Sequence, residues 1–84
     1  MTAWCQEVQA CLASEGIPED AADMSAYMKG LFLFLGIKKP LRTTLTKPLF
    51  ERANLPSRTE LQATCEALWA LPEREYQMVA LELL

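Results

Sequence analysis

Apolar residues recur with helical spacing along most of the chain, and this periodicity constrains the fold more than any other feature. Near residues 3–14 the apolar positions follow the pattern i, i+4, i+7, i+8 and are Trp4, Val8, Cys11 and Leu12. The run LFLFL at 31–35 alternates as a strand would, but its neighbours have helical spacing and no hairpin signal flanks it. The sequence therefore predicts an all-α fold.

Glycine and proline divide the first helix from the second. Gly16 predicts a left-handed stop after the first stripe, and Pro18 is typical of a helix start. Glu19 and Asp20 in that first turn suit the positive end of the helix dipole. The second apolar stripe consists of Met24, Met28, Leu31 and Leu35. We therefore expect the second helix to continue through the apolar run, with Gly30 as its weak point.

Two prolines shape the third helix. Pro40 is expected to open it, because a missing N–H costs nothing at that position. The apolar stripe is Leu41, Leu45 and Leu49. This spacing leaves Arg42 and Thr46 off the buried face. Pro48 should remove the bond to the Thr44 carbonyl, so we expect a kink or a helix split into two.

A capping box and a third proline define the last two helices. Ser57 and Glu60 form the S-x-x-E pattern that opens a fourth helix. Its inward positions are Leu61, Cys65 and Leu68. The fourth helix should end at Leu71, because the residue before a proline avoids helical angles. Glu73 and Glu75 then open a fifth helix.

These five helices predict antiparallel pairs stacked as HEAT-like repeats, the start of an α-solenoid, in one domain over residues 1–84. The end of the fifth helix reads VALELL at 79–84, apolar at five of six positions. A helix that is apolar on several sides needs several neighbours. We expect the chain to be the N-terminal part of a longer helical-repeat protein. Self-association through this exposed helix and simple fraying are the alternatives.

Composition excludes several classes of protein. No apolar stretch reaches the roughly 20 residues that span a bilayer, so we expect no membrane partner. The start of the chain lacks a basic segment followed by a hydrophobic one, which indicates a cytoplasmic protein. With no histidine and no CxxC among three cysteines, we expect neither a metal site nor a cofactor. Cys5, Cys11 and Cys65 are interpreted as buried free thiols.

The charges are sorted along the chain. Residues 29–58 carry seven cations against Glu51 alone, a net +6, whereas residues 1–28 carry −5 and residues 59–84 carry −4. The net charge of −3 therefore hides a basic middle segment between two acidic ends. We expect the acidic ends to face away from the basic segment.

The basic segment has two interpretations. Lys38, Lys39 and Arg42 are expected to lie together at the start of the third helix, where free backbone N–H groups would form a phosphate-binding site. Lys47 lies about 140° round the helix from Arg42 and joins them only if the chain bends near Pro48. Such a cluster would bind the phosphates of a nucleic acid and release counterions. The alternative is a solvated turn that keeps the chain soluble.

Other candidate functional residues are few. Tyr27 could stack on a base or sugar, although tyrosine at a helix end is more often a half-buried core residue. Glu73 and Glu75 point about 160° apart on a helix, which argues against a paired-carboxylate site. We interpret these acids and Glu82 as solvated surface groups. The 84 residues alone contain no recognisable active site.

Two stretches resemble a known family. The first consists of Tyr27-Met28-Lys29, Phe32, Phe34-Leu35-Gly36-Ile37-Lys38, Pro40, Arg42, Leu45, Lys47 and Phe50. The second consists of LW at 68–69, LPEREYQ at 71–77, AL at 80–81 and LL at 83–84. Together they resemble the DNA alkylation repair glycosylases built from HEAT-like helical repeats, over roughly residues 22–84.

The resemblance implies a function that the residues alone do not. Members of this family are helical solenoids whose concave basic face holds duplex DNA, and they excise purines alkylated at N3 or N7. An Asp, with tryptophans and an arginine around the lesion, performs the chemistry at positions beyond the end of this chain. The resemblance therefore implies a part that contacts alkylated double-stranded DNA and contributes no catalytic residue.

Few site residues transfer from the family. Tyr27 matches its cleft tyrosine, and Lys38 matches a loop position that faces DNA. The sequence departs from the pattern at Lys39, where threonine is common, and at Leu41, where glutamate is common. Both changes make the segment more positive. The expected DNA-binding set is Tyr27, Lys38, Lys39, Arg42 and Lys47.

Two other functions stay open. The chain could be a non-catalytic helical-repeat module that binds DNA or a protein partner. It could also be a structural domain that dimerises through its fifth helix.

Overall fold

Helices form the regular structure in the computed structural model, which describes residues 3–83. The α-helices are α1 (Ala3–Leu12), α2 (Pro18–Tyr27), α3 (Lys39–Thr46), α4 (Arg58–Ala70) and α5 (Arg74–Leu83). Two short 3-10 helices, Lys47–Phe50 and Arg52–Asn54, join α3 to α4. Between residues 3 and 83 no strand forms, and a single parallel β-bridge joins Leu33 and Glu73. The all-α prediction is confirmed. None of the described helices has the length and apolar composition that a membrane span requires.

α1, α3, α4 and α5 pack around one core, and α2 contributes no buried residue to it. α4 and α5 form a hairpin through a three-residue connection, and α1 packs against both α3 and α4. The buried apolar side chains are Trp4, Cys5, Val8, Leu12, Ile37, Leu49, Leu68, Tyr76, Val79 and Ala80. Four of these belong to α1, so the first predicted stripe is confirmed apart from Cys11, which is half-buried.

The prediction that α2 continues through Leu35 is wrong. α2 ends at Tyr27, and Lys29 and Gly30 then take positive φ angles of 58° and 72°. Two consecutive left-handed residues stop an α-helix because they turn its backbone hydrogen-bonding groups away from the axis. Leu31 and Leu33 are exposed beyond this turn, so the apolar spacing that suggested a helix belongs to an irregular loop.

The left-handed stop predicted at Gly16 is also wrong, because Gly16 is not among the glycines with positive φ. Its role is close packing, since a Cβ atom at this position would collide with the carbonyl oxygen of Leu35. Glycine at this position therefore lets the α1–α2 connection lie directly against the backbone of the loop before α3.

α3 buries a face that the leucine spacing did not predict. Arg42 and Thr46 are buried with Leu49, whereas Leu41 is exposed and Leu45 is half-buried. The predicted split at Pro48 is confirmed, because the α-helix ends at Thr46 and a 3-10 helix follows. Arg42, Thr46 and Leu49 keep the helical spacing i, i+4, i+7, so the buried face of α3 lies about 100° round the helix from Leu41. The leucine spacing misses this face because the sequence does not show that the Arg42 side chain pairs with Glu82.

The boundaries of α4 agree with the sequence. Ser57 precedes its first residue, and α4 ends before Leu71 and Pro72. The Ser57 hydroxyl donates to the Glu60 carboxylate at 2.8 Å instead of capping a backbone N–H, so the predicted capping pair meets side chain to side chain. Leu68 is buried as predicted, whereas Leu61 and Cys65 are half-buried.

Two glycines with positive φ provide a matched test of this packing. In Gly36→Ala, the φ of 93° and collisions with the Ile17 carbonyl and the Ala21 nitrogen should lower the free energy of unfolding by about 3 kcal/mol or more. Gly30→Ala meets no neighbouring atom and should cost only about 1 kcal/mol for the left-handed conformation. Urea unfolding followed by circular dichroism measures both. Equal losses for the two variants would contradict the close packing at Gly36.

Candidate nucleic-acid interface

A buried carboxylate fixes the loop that leads into α3. Glu75 lies in the first turn of α5 and is 1% exposed. Its carboxylate accepts hydrogen bonds from the backbone N–H groups of Leu35 at 2.9 Å, Gly36 at 2.9 Å and Ile37 at 3.1 Å. Successive N–H groups that converge in this way form a nest for an anion, and a positive φ at Gly36 helps to create it. These three bonds compensate the cost of burying a charged group.

The neighbouring residue Arg74 holds the earlier part of the same loop. Its backbone N–H donates to the Leu33 carbonyl at 2.8 Å. Its guanidinium lies 4.3 Å from the centre of the Phe32 ring and 5.7 Å from that of Trp69, and it donates to the Gln77 side chain at 2.7 Å. Arg74 and Glu75 therefore tie the LPEREYQ segment to the loop between α2 and α3.

This loop connects two of the residues predicted to contact DNA. Tyr27, at the end of α2, is 87% exposed and is not the half-buried core residue that was the alternative. Lys38 directly precedes α3, and its side chain is 66% exposed. The Ser25 hydroxyl donates to the Phe32 carbonyl at 3.0 Å, so the turn after Tyr27 is also held against α2.

The remaining lysines are exposed at either end of α3. Lys39 is the first residue of α3, and Lys47 is the first residue of the following 3-10 helix. The α-helix gives way to a 3-10 helix after Thr46, and Lys47 lies at the opposite end of α3 from Lys38 and Lys39. The start of α3 receives no capping hydrogen bond from the Lys38 side chain.

Arg42 does not belong to this exposed set, and the prediction that it lies beside Lys38 and Lys39 on the surface is wrong. It is 8% exposed, and its Nη2 donates to Glu82 Oε1 at 2.7 Å. The Arg42 carbonyl accepts from the Thr46 hydroxyl at 2.8 Å. Arg42 faces α5 because the buried side of α3 includes this position. Its charge serves to join α3 to α5.

The acidic residues are also placed differently from their prediction. Glu75 and Glu82, expected to be solvated surface acids, bind the loop backbone and Arg42 respectively. Asp20, in the first turn of α2, has its carboxylate 4.0 Å from Lys38 Nζ, so the acidic segments do not simply face away from the basic one. No charge count could reveal these contacts, because they join residues far apart in the chain.

The missed residue of greatest consequence is Glu75. One signal was present: Gly36 beside apolar residues can produce convergent N–H groups that need an anion. Nothing in the sequence indicated which of the eleven acidic residues would supply it.

The cysteines offer little nucleophilic chemistry. The three cysteines, all among the described residues, are thiols that form no disulfide; Cys5 is buried, and Cys11 and Cys65 are half-buried. Burial raises the pKa of the Cys5 and Cys65 thiols, which keeps them in the less reactive protonated form near neutral pH. Within residues 3–83, no group of three or more histidine, cysteine or acidic side chains is placed to hold a metal ion.

Comparison with protein families identifies the chain. A family model described as DNA alkylation repair enzyme matches residues 8–84, which includes the loop, Glu75 and every residue of the predicted DNA-binding set. The chain belongs to this family. Comparison with curated protein sequences gives no match. Family membership associates the chain with DNA alkylation repair and assigns no role to any single side chain.

The Glu75 clamp is the set of three hydrogen bonds from the backbone of residues 35–37 to the Glu75 carboxylate. Removal of the Glu75 charge tests how much this clamp stabilises the fold. In Glu75→Gln a single amide oxygen replaces two carboxylate oxygens among three donors, so the free energy of unfolding should fall by about 3 kcal/mol. The control Glu7→Gln neutralises an exposed acid and should change it by less than about 0.5 kcal/mol. Urea unfolding of both variants measures the difference. A Glu75→Gln protein as stable as the control would show that the clamp contributes nothing.

Alkaline pH tests the burial of Tyr76. Burial, with the nearby carboxylates of Glu73 and Glu75, raises the pKa of Tyr76. The neutral phenol therefore stabilises the fold at pH values below about 10, and this contribution is lost as the pH rises through the raised pKa. Unfolding measured across this range should show less alkaline loss in Tyr76→Phe than in the unsubstituted protein. The same loss in both would exclude Tyr76 as the titrating group.

Proposed function

We propose that this chain is the N-terminal helical-repeat part of a DNA glycosylase that excises N3- or N7-alkylated purines from duplex DNA. Its part in that activity is to contact the DNA backbone. Residues 1–84 would then form one helical unit, the first of a HEAT-like array. Membership of the DNA alkylation repair family supports the substrate class. The exposed side chains on its clamped loop support the contact.

The observation that supports DNA contact most directly is the placement of Tyr27 and Lys38 on one rigid frame. Lys38 lies beside Asp20, and Asp20 and Tyr27 are seven residues apart on one face of α2. Seven residues correspond to about 10 Å along a helix axis, which is close to the axial span of three nucleotides in one strand. Lys38 and Tyr27 therefore suit contacts to a single DNA strand.

The chemistry of each side chain fits the backbone of a nucleic acid. Lys38, Lys39 and Lys47 would neutralise phosphates and release their counterions. The N–H groups of Lys39 and Leu41 at the start of α3, with the positive end of the helix dipole, would add to this attraction. The exposed ring of Tyr27 would stack on a base or sugar.

We assign no described residue to cleavage of the glycosidic bond. That step needs a carboxylate beside the sugar, and the Glu75 and Glu82 carboxylates are engaged in contacts within the fold. The proposal follows the resemblance, which places the aspartate for this step beyond the end of this chain. No cofactor or metal ion takes part in the proposed contact.

One observation favours a second function, a non-catalytic helical module that binds a protein partner. A groove of about 460 Å³ opens between α4 and α5 beside Trp69, which is 47% exposed, and Leu81. Another helix, from a partner or a second copy, could cover it. Duplex binding that depends on the lysines, with no association of the free chain, would favour the DNA-binding function.

The salt dependence of duplex binding tests the proposed contact. Affinity should fall as salt rises, and Lys38→Gln, Lys39→Gln and Lys47→Gln should each reduce the slope of log K against log salt by about 0.9. The control Arg58→Gln removes an exposed charge at the start of α4 and should leave the slope unchanged. Fluorescence anisotropy of a labelled duplex, titrated at several salt concentrations, gives these slopes.

Tyr27 extends the same titration. Tyr27→Ala should weaken binding by about 1–3 kcal/mol if the ring stacks on DNA, whereas Tyr27→Phe keeps the ring and should bind nearly normally. An affinity that does not change between low and high salt would refute the proposed phosphate contacts.

A further inference from the structure

A carboxylate lies within the surface proposed to bind DNA. Asp20 Oδ1 is 4.0 Å from Lys38 Nζ. The Asp20 side chain is 29% exposed and that of Lys38 is 66% exposed, so the pair lies at the protein surface. Asp20 also lies seven residues before Tyr27 on one face of α2, so it belongs to the surface that carries both side chains proposed to contact the DNA strand.

Backbone contacts hold Asp20 in this position. The Ile17 N–H, at the start of α2, donates to the Gly36 carbonyl at 3.3 Å, and Gly36 is itself held by Glu75. The start of α2 and the residue before α3 are therefore fixed to the same loop. Asp20 lies in the first turn of α2, where the helix dipole favours a negative charge.

We infer that Asp20 is an intramolecular competitor for DNA phosphate at Lys38, and that it limits the affinity of this surface for duplex DNA. The inference rests on the proposed function. A carboxylate and a phosphate both present anionic oxygens to an ammonium group. In the free protein Asp20 takes part of the attraction of Lys38, and a phosphate that binds Lys38 must displace Asp20 or lie beside a like charge.

The size of this effect follows from the distance and the exposure of the pair. Unit charges 4.0 Å apart in water interact by an amount worth about fivefold in an equilibrium constant, and surface ion pairs usually reach less. We therefore expect Asp20→Asn to tighten binding of an undamaged duplex about threefold at low salt. The gain should shrink as salt rises, because screening weakens both competing interactions.

Glu19 supplies a matched control. It precedes Asp20 in the first turn of α2 and is exposed, but it points about 100° away round the helix. Glu19→Gln changes the net charge by the same amount as Asp20→Asn without freeing Lys38. Any gain common to both variants measures general repulsion between the acidic protein and DNA.

A double-mutant cycle with Lys38→Met separates competition from general repulsion. A fluorescein-labelled undamaged duplex of about two helical turns is titrated by anisotropy with Asp20→Asn, Lys38→Met, the double variant and Glu19→Gln. The expected result is a gain of about threefold for Asp20→Asn that falls to the Glu19→Gln value when Lys38 is replaced.

Each other outcome overturns the inference in a recognisable way. A gain for Asp20→Asn that persists at full size without Lys38, or that equals the gain of Glu19→Gln, removes Asp20 as a competitor and leaves the proposed function intact. Duplex affinity that is absent in every variant, including Asp20→Asn, refutes the competitor and the proposed DNA contact together.

Discussion

The capture of three backbone N–H groups by the Glu75 carboxylate is the interaction on which the rest of this structure depends. It fixes the backbone of residues 35–37. In this conformation Gly36 packs against the start of α2 and Ile37 is buried in the core. Lys38 directly follows the last residue held by Glu75, and α3 begins at the next residue. A buried carboxylate without these donors would be strongly unfavourable, so the loop and α5 must become ordered together. A long connection without regular structure is thereby held to the start of α5 by hydrogen bonds along much of its length.

Two ion pairs of opposite character show how burial decides what a charge does. Arg42 and Glu82 are 2.7 Å apart with the guanidinium largely buried, so loss of the Glu82 carboxylate would leave an uncompensated buried charge between α3 and α5. Lys38 and Asp20 are 4.0 Å apart at the surface, where water and salt keep their attraction small. The first pair is suited to hold helices together, and the second can exchange partners. Both cations come from the same basic segment, and their sequence neighbourhood does not distinguish them.

Sequence periodicity was sufficient to predict the helices that follow regular spacing. It was insufficient where the backbone takes a left-handed conformation or where a distant residue decides which side chain is buried. Four features were predictable because each follows from helical spacing or from the geometry of a nearby proline. They are the α1 stripe, the start of α3 near Pro40, the break at Pro48 and the end of α4 before Pro72. The end of α2 was not predictable, since Lys29 adopts a left-handed conformation that its residue type does not favour. The burial of Arg42 depends on Glu82, forty residues away, and that of Glu75 on donors thirty-eight to forty residues away. The sequence was enough to predict the family and the exposed lysines of the candidate site. The contacts of Glu75 and Asp20 could be found only from the folded structure.

The indole of Trp4 shows that the physical unit begins earlier than the part recognised by similarity. The family match starts at residue 8, yet the Trp4 indole donates to the Leu49 carbonyl at 3.2 Å and meets the Phe50 ring edge to face, with centroids 5.4 Å apart. The α-helix ends at Thr46, just before these residues, and the indole supplies a donor to a buried carbonyl of the 3-10 helix that follows. A domain boundary drawn at residue 8 would therefore cut through α1. It would also remove Trp4 from its contacts with Leu49 and Phe50 in the core. In this chain, the contacts that hold the core begin about one helical turn before the residues that the family model matches.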